Sequence, residues 1–212
     1  MVQKKDLNMY ILLTYTGSML SSLIRKLSDY PYSHIAIGLD PSFQTFYSFG
    51  RKYFSNPLIA GFVSEDVKEG VYTRFANTEF SLYKVKITRE QYNEIQDIIY
   101  EFECNKKCYR YNFIGLVTAK AGFSFERDKA YFCSEFASEV VERAGIYEFG
   151  KPRGMIHPMD FLDIPEVKLV AEGKLSEFRQ ETWDVMTPDL RWRSKIPLLA
   201  KASGFYENIR RQ

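Results

Sequence analysis

The stretch YFCSEFASEVVERAGI, residues 131–146, decides how this chain is read. Phe136, Ala137, Val140 and Val141 recur at the spacing of a helix with one apolar face, and Gly145 is a stop signal. This predicts a helix over 134–144 with Cys133 at its start. A thiol there meets unpaired backbone N–H groups and the positive end of the helix dipole, which favour a thiolate. The same N–H groups suit an oxyanion on a carbonyl attacked by the sulfur. The competing reading is a small buried hydrophobe, and position alone does not choose between them.

Working toward the N-terminus, TGSMLSSLIRKLSDYPYSHIAIGLD spans residues 16–40. Ser18 is placed to cap a helix with Leu20, Leu23, Ile24 and Leu27 at helical spacing, and Pro31 ends that segment. HIAIGLD then reads as a strand. Ile35, Ile37 and Leu39 share one face; His34, Ala36 and Gly38 share the other. The imidazole therefore sits on a face cleared of bulk, which leaves room for a helix end to approach, as a Cys–His pair requires. A histidine at a strand end is ordinary by itself. Here it is one of only two, in a chain with a cysteine at a helix start. His157, in GMIHPMDF, is the second-ranked base.

The remaining pattern predicts strands at Asn8–Thr14 and Phe43–Phe49, a hairpin of Val71–Phe75 with Phe80–Ile87, and a last strand at Val167–Leu175. Residues 50–70 hold glycines, Pro57 and charges and read as a loop. Thr88 and Gln91 have capping-box spacing ahead of a helix carrying Tyr92, Ile95, Ile98, Ile99 and Phe102 on one face. Shorter helices are expected over Asn112–Ala121 and Pro158–Leu162. Strands and helices without strict alternation point to an α+β domain, an antiparallel sheet packed against helices.

Composition bounds the rest. The 212 residues are 45% hydrophobic and 26% charged with a net charge of +2, which excludes a disordered chain and gives no reason to expect nucleic acid. Aromatics reach 16%, enough to fill a core and line a groove. Three cysteines fit a reducing compartment rather than a disulfide framework. Cys104 and Cys108, four apart in ECNKKC, lack a second pair to complete a metal site. No metal or cofactor is expected. With no secretory signal and no run of 18 apolar residues, a cytoplasmic location is expected. The domain is placed at 1–181. Residues 182–212, which include RWRSKIPLLAKASGFYENIRR, form a basic, aromatic C-terminal extension.

Together, the opening strand, TGSMLSSLIRKLSDYPYSHIAIGLD and YFCSEFASEVVERAG resemble the circularly permuted NlpC-type papain-like cysteine hydrolases. The YiiX-like branch is the nearest, and lecithin:retinol acyltransferase-like enzymes are more distant relatives. The resemblance covers roughly residues 8–165 and implies a permuted papain-like fold with the histidine strand before the cysteine helix. Residue by residue, it implies Cys133 as nucleophile and His34 as general base. The orienting polar residue falls on the next strand, FQTFYSFGRKY, at Ser48, with Gln44 as a fallback. Serine supplies no charge to stabilise an imidazolium, a departure that weakens the triad. YRYNFIGL resembles the family's Tyr-containing segment, so Tyr111 is the candidate oxyanion donor.

Three functions follow as expectations. The first is a cysteine hydrolase of amide bonds, a peptidase or amidase acting through an acyl-enzyme, with cell-wall-type peptides among its candidate substrates. The second is a lipid acyl-ester hydrolase or acyltransferase, the C-terminal extension making peripheral membrane contact. The third is an inactive binding module, which the serine at position 48 keeps open.

Overall fold

A computed structural model describes residues 7–181 apart from 29, 54–55, 68–69 and 76. In chain order its strands and helices are β1 (Leu7–Tyr15), α1 (Met19–Ser28), β2 (His34–Gly38), β3 (Thr45–Tyr53), β4 (Asn56–Asp66), α2 (Val71–Arg74), β5 (Glu79–Ile87) and α3 (Arg89–Cys104). There follow β6 (Arg110–Tyr111), α4 (Phe113–Lys120), β7 (Ala130–Tyr131), α5 (Cys133–Arg143), β8 (Lys168–Lys174) and α6 (Leu175–Glu181), with short 3-10 turns at Arg153–Met155 and Pro158–Asp163. The larger sheet is antiparallel, in the order β4-β3-β2-β1-β5-β8. The α+β expectation is therefore met. The C-terminal extension at 182–212 lies outside the described residues.

β1 runs through the middle of the sheet, and its apolar run is continuous because both faces are covered. Met9, Ile11 and Leu13 join Ile35, Ile37, Phe49 and Phe62 under α3 and α5. Tyr10 and Leu12 join Ala36, Phe46, Phe80 and Leu175 on the opposite face. Under the helices the aromatics interlock: Phe49 lies 5.9 Å from Phe102, and Phe102 lies 5.0 Å from Phe136, both edge-on.

The helix ends follow their local chemistry. Thr88 Oγ1 accepts from Gln91 N at 3.2 Å and Gln91 Oε1 accepts from Thr88 N at 2.9 Å, the expected capping box on α3. α5 stops at Gly145, whose φ of 61° is costly for other residues. Ile146 N there donates back to Val141 O at 3.0 Å.

Two expectations are corrected. Most of the segment expected as a loop is strand: residues 50–53 complete β3 and residues 56–66 form β4. An edge strand pairs on one side only, so it tolerates Pro57 and Gly61, the residues that argued against a strand. Val71–Phe75 is not half of a hairpin. Gly70, at φ 68°, turns the chain into the short α2, and Thr73 Oγ1 donates to Gly70 O at 2.9 Å.

A buried polar node fixes the start of α5. The fully buried Asn112 accepts from Gly115 N at 2.9 Å, and its amide donates to Phe125 O at 3.0 Å and Glu135 Oε1 at 3.1 Å. Glu135 Oε2 in turn accepts from Phe132 N at 2.8 Å. Gly115 leaves space for this amide, since a Cβ there would stand 2.1 Å from Asn112 Nδ2. Gly115→Ala should therefore lower unfolding stability in urea by about 1–3 kcal/mol, the cost of overpacking a fixed site. A variant as stable as wild type would contradict this role for the node.

Candidate active site

Cys133 opens α5 and is buried. Its first-turn N–H groups have no acceptor within the helix. His34 opens β2 and stands near enough to Cys133 for the thiol to act on its ionisation. Its Nε2 donates to Glu65 Oε1 at 2.7 Å, so Nδ1 is the nitrogen that remains for the thiol. The structure thus brings together the two residues singled out in the sequence.

They meet differently from the expectation. α5 packs on the Ile35 and Ile37 face of β2, not on the small-residue face. Ala36 belongs to the opposite core, and Gly38 makes room for Phe46, whose ring would lie 3.0 Å from a Cβ there. The thiol reaches the imidazole at the end of the sheet, where β2 begins. Ser33 sits at this junction and bonds to Ser21 of α1 at 2.8 Å.

The orienting residue is Glu65, on β4, and this corrects the assignment of Ser48. The Ser48 hydroxyl is buried and donates to Ile35 O at 2.6 Å, a bond that spans β3 and β2 and leaves the imidazole alone. Gln44 precedes β3, at the far end of that strand from Gly50. Glu65 reaches His34 across the intervening β3 because the residue between them is Gly50. A Cβ on Gly50 would stand 3.2 Å from Glu65 Oε1 and 3.7 Å from His34 Cε1. The second carboxylate oxygen of Glu65 accepts from the Tyr72 hydroxyl at 2.6 Å.

The electrostatics are those of a buried ion pair. Burial works to lower the His34 pKa, but the Glu65 carboxylate, with the Cys133 contact, overrides it and raises the value to about 10. Burial likewise works to raise the Glu65 pKa. The charge and hydrogen bond of His34, the Tyr72 hydroxyl and Arg51 override it and hold Glu65 below its usual range. Glu135 behaves oppositely: desolvation raises it to about 7, only partly relieved by Phe132 N and Asn112. Its contribution to stability therefore falls as pH rises from 4.5 through about 7.

Tyr111 stands beside this group. The two-residue parallel pairing of β6 with β7 sets Tyr111 opposite Tyr131, just ahead of Cys133. Burial, then the charges of Cys133 and Glu135, hold its hydroxyl well above the usual range, so it remains a donor. His157, the second-ranked base, packs against Tyr30 with the rings tilted and their centres 5.0 Å apart, and its pKa is lowered by burial. Cys104 and Cys108 are exposed, and no cluster among the described residues could hold a metal.

Two cavities flank the pair and share Ile24 and Ser33. One, of about 340 Å³, is lined by His34, Glu65, Tyr72, Arg51 and Tyr111. The other, of about 200 Å³, is lined by Cys133, His157, Tyr30 and Leu116. Both are on the scale of small-ligand sites or just below it. Comparison of the sequence with known protein families and with curated proteins finds no match.

The ion pair sets a testable pH dependence. The contribution of His34 is complete below 6.5 and is lost as pH rises through about 10; that of Glu65 is complete above 4.5 and is lost on acidification. By NMR, the His34 ring should stay protonated to near pH 10, while His157 titrates below 6.5. Glu65→Gln, and Gly50→Ala by displacing the carboxylate, should each bring the His34 midpoint down by about 1–3 pH units. An unchanged midpoint in both variants would remove Glu65 from the site.

Proposed function

We propose that this protein is a cysteine hydrolase that cleaves amide bonds through an acyl-enzyme on Cys133. The observation that carries the reading is His34 held between Cys133 and Glu65. The glutamate supplies the negative charge that Ser48 lacked, and this counts against an inactive binding module. The order of histidine strand before cysteine helix, inside an α+β domain, supports the resemblance to permuted NlpC-type papain-like hydrolases. By that resemblance a peptide is the first substrate to try.

In this mechanism Glu65 keeps His34 protonated as the partner of the Cys133 thiolate. The sulfur attacks the carbonyl carbon, and the C=O electron pair moves onto oxygen. The first-turn N–H groups of α5 and the Tyr111 hydroxyl receive that oxyanion. Collapse breaks the C–N bond as His34 gives its proton to the departing amine. Now neutral, His34 takes a proton from water, which attacks the thioester and releases the acid and the thiolate.

A second reading, hydrolysis or transfer of a lipid acyl ester, is favoured by a separate observation. Ile114, Val117, Phe123 and Phe125 lie on and just after α4 and are 45–69% exposed, and the same helix lends Leu116 and Ala119 to the cavity that holds Cys133. Exposed apolar side chains on an element that lines the site suit an acyl chain or a membrane surface.

Assays on matched peptide amides and acyl esters separate the two readings by which series turns over. In either series Cys133→Ser and His34→Ala should each reduce kcat/KM by at least about 10³-fold, and Glu65→Gln by roughly 10–100-fold. Turnover retained in Cys133→Ser would overturn both. Preference for esters together with sedimentation on liposomes, abolished by Val117→Asp, would replace the amide reading with the lipid one.

A further inference from the structure

Arg51 has an unusual position for a cation. It lies at the end of β3, where the pairing with β4 becomes irregular between Arg51 and Tyr53, and it lines the larger cavity with His34, Glu65 and Tyr111. Its Nη2 donates to Ser18 Oγ at 3.3 Å, and the guanidinium stands 5.7 Å from the centre of the Phe75 ring. Glu65 is the nearby carboxylate, but both of its oxygens are engaged, one by His34 and one by Tyr72. Among the described residues no carboxylate stands within ion-pair distance of Arg51. The half-buried guanidinium feels the Glu65 charge only from beyond ion-pair distance, so its lost hydration is replaced by one hydrogen bond and one ring contact rather than by a paired carboxylate. Its planar fork of N–H donors matches the two oxygens of a carboxylate. Lys52 and Asp66 line the same cavity and add one charge of each sign, so Arg51 is distinguished by its place beside His34 rather than by a wholly basic lining.

We infer that Arg51 is a specificity residue that receives a carboxylate carried by the substrate close to its scissile carbonyl. The inference rests on the cysteine-hydrolase reading, since it places this carboxylate beside the Cys133–His34 pair. It narrows the substrate class to acyl compounds with an acidic group next to the reacting carbonyl, such as acidic peptides. A cavity of about 340 Å³ holds such a group at the scale of a small ligand rather than a polymer.

The test uses two thiol-directed probes of matched size, racemic N-chloroacetyl alanine and racemic N-chloroacetyl alaninamide, which differ only in the carboxylate. The Cys133 sulfur forms a bond to the chloromethyl carbon as the C–Cl bond breaks and chloride leaves with the electron pair. Labelling rates on the full chain are mapped to each cysteine by peptide mass. Wild type should label at Cys133 about tenfold faster with the carboxylate probe than with the amide, the value of a charge-assisted hydrogen bond. Arg51→Gln should bring the two rates together, and Arg51→Lys should keep part of the preference. Using the ratio cancels any general effect of the substitution on the thiol. Equal rates in wild type, or a preference surviving in Arg51→Gln, would overturn the role of Arg51 while leaving the hydrolase reading intact. If both probes label Cys133 no faster than Cys104 and Cys108, the hydrolase reading fails and takes this one with it.

Discussion

The hydrogen bond from His34 Nε2 to Glu65 Oε1, 2.7 Å long and largely shielded from solvent, imposes most of the constraints visible around it. Burying two opposite charges costs desolvation energy that their attraction offsets only with good geometry and further hydrogen bonds. Here the second oxygen of Glu65 is satisfied by Tyr72, and Tyr72 is in place because the chain turns into α2 right after β4. The carboxylate must also cross an intervening strand, which is possible only where that strand carries no side chain. Gly50 meets that demand. An edge strand, a one-turn helix and a glycine that look unrelated in the sequence thus serve a single contact.

The other half of the site is built from the opposite face of the sheet. α5 is held by its apolar stripe on Ile35, Ile37, Phe49 and Phe62, and its first turn is fixed by the Asn112–Glu135 node. The node also ties α5 to the start of α4, and the β6–β7 pairing sets Tyr111 beside it. A thiol supported from one face and an imidazole supported from the other meet at the sheet's end, with a cavity on each side. This arrangement lets the two cavities differ in chemistry. The one near Arg51 is lined by charges and hydroxyls, and the one near Cys133 by Ile24, Leu116, Ala119 and Phe132 among others.

Much of this was legible locally. The period of α5, the capping box of α3 and the double-sided apolar run of β1 are written in neighbouring residues, and all three recur in the structure close to where their patterns place them. His34 and Cys133 were legible because each combines a scarce residue type with an element boundary. Glu65 was not. It lies in a segment whose Gly61, Pro57 and charges read as a loop, and its pairing depends on β4 reaching β3 and β2, which no local pattern encodes. The one available signal was the period-two run Phe62-Val63-Ser64-Glu65, in which the carboxylate shares a face with Val63. Ser48 drew attention because it sits on the strand next to His34, yet its hydroxyl is spent on the Ile35 carbonyl. The small face of β2 misled for a related reason: Ala36 and Gly38 do leave space, but Phe46 fills it.

The most direct measurement is the rate of iodoacetamide alkylation at Cys133 as a function of pH, in wild type, His34→Ala and Glu65→Gln. A thiolate held by an imidazolium should label well below the ordinary cysteine pKa near 8.5. That acid-side reactivity should vanish in His34→Ala and weaken in Glu65→Gln, with Cys104 and Cys108 unchanged in all three proteins. A Cys133 profile that is the same in the three proteins, or that matches the two exposed cysteines, would contradict the account.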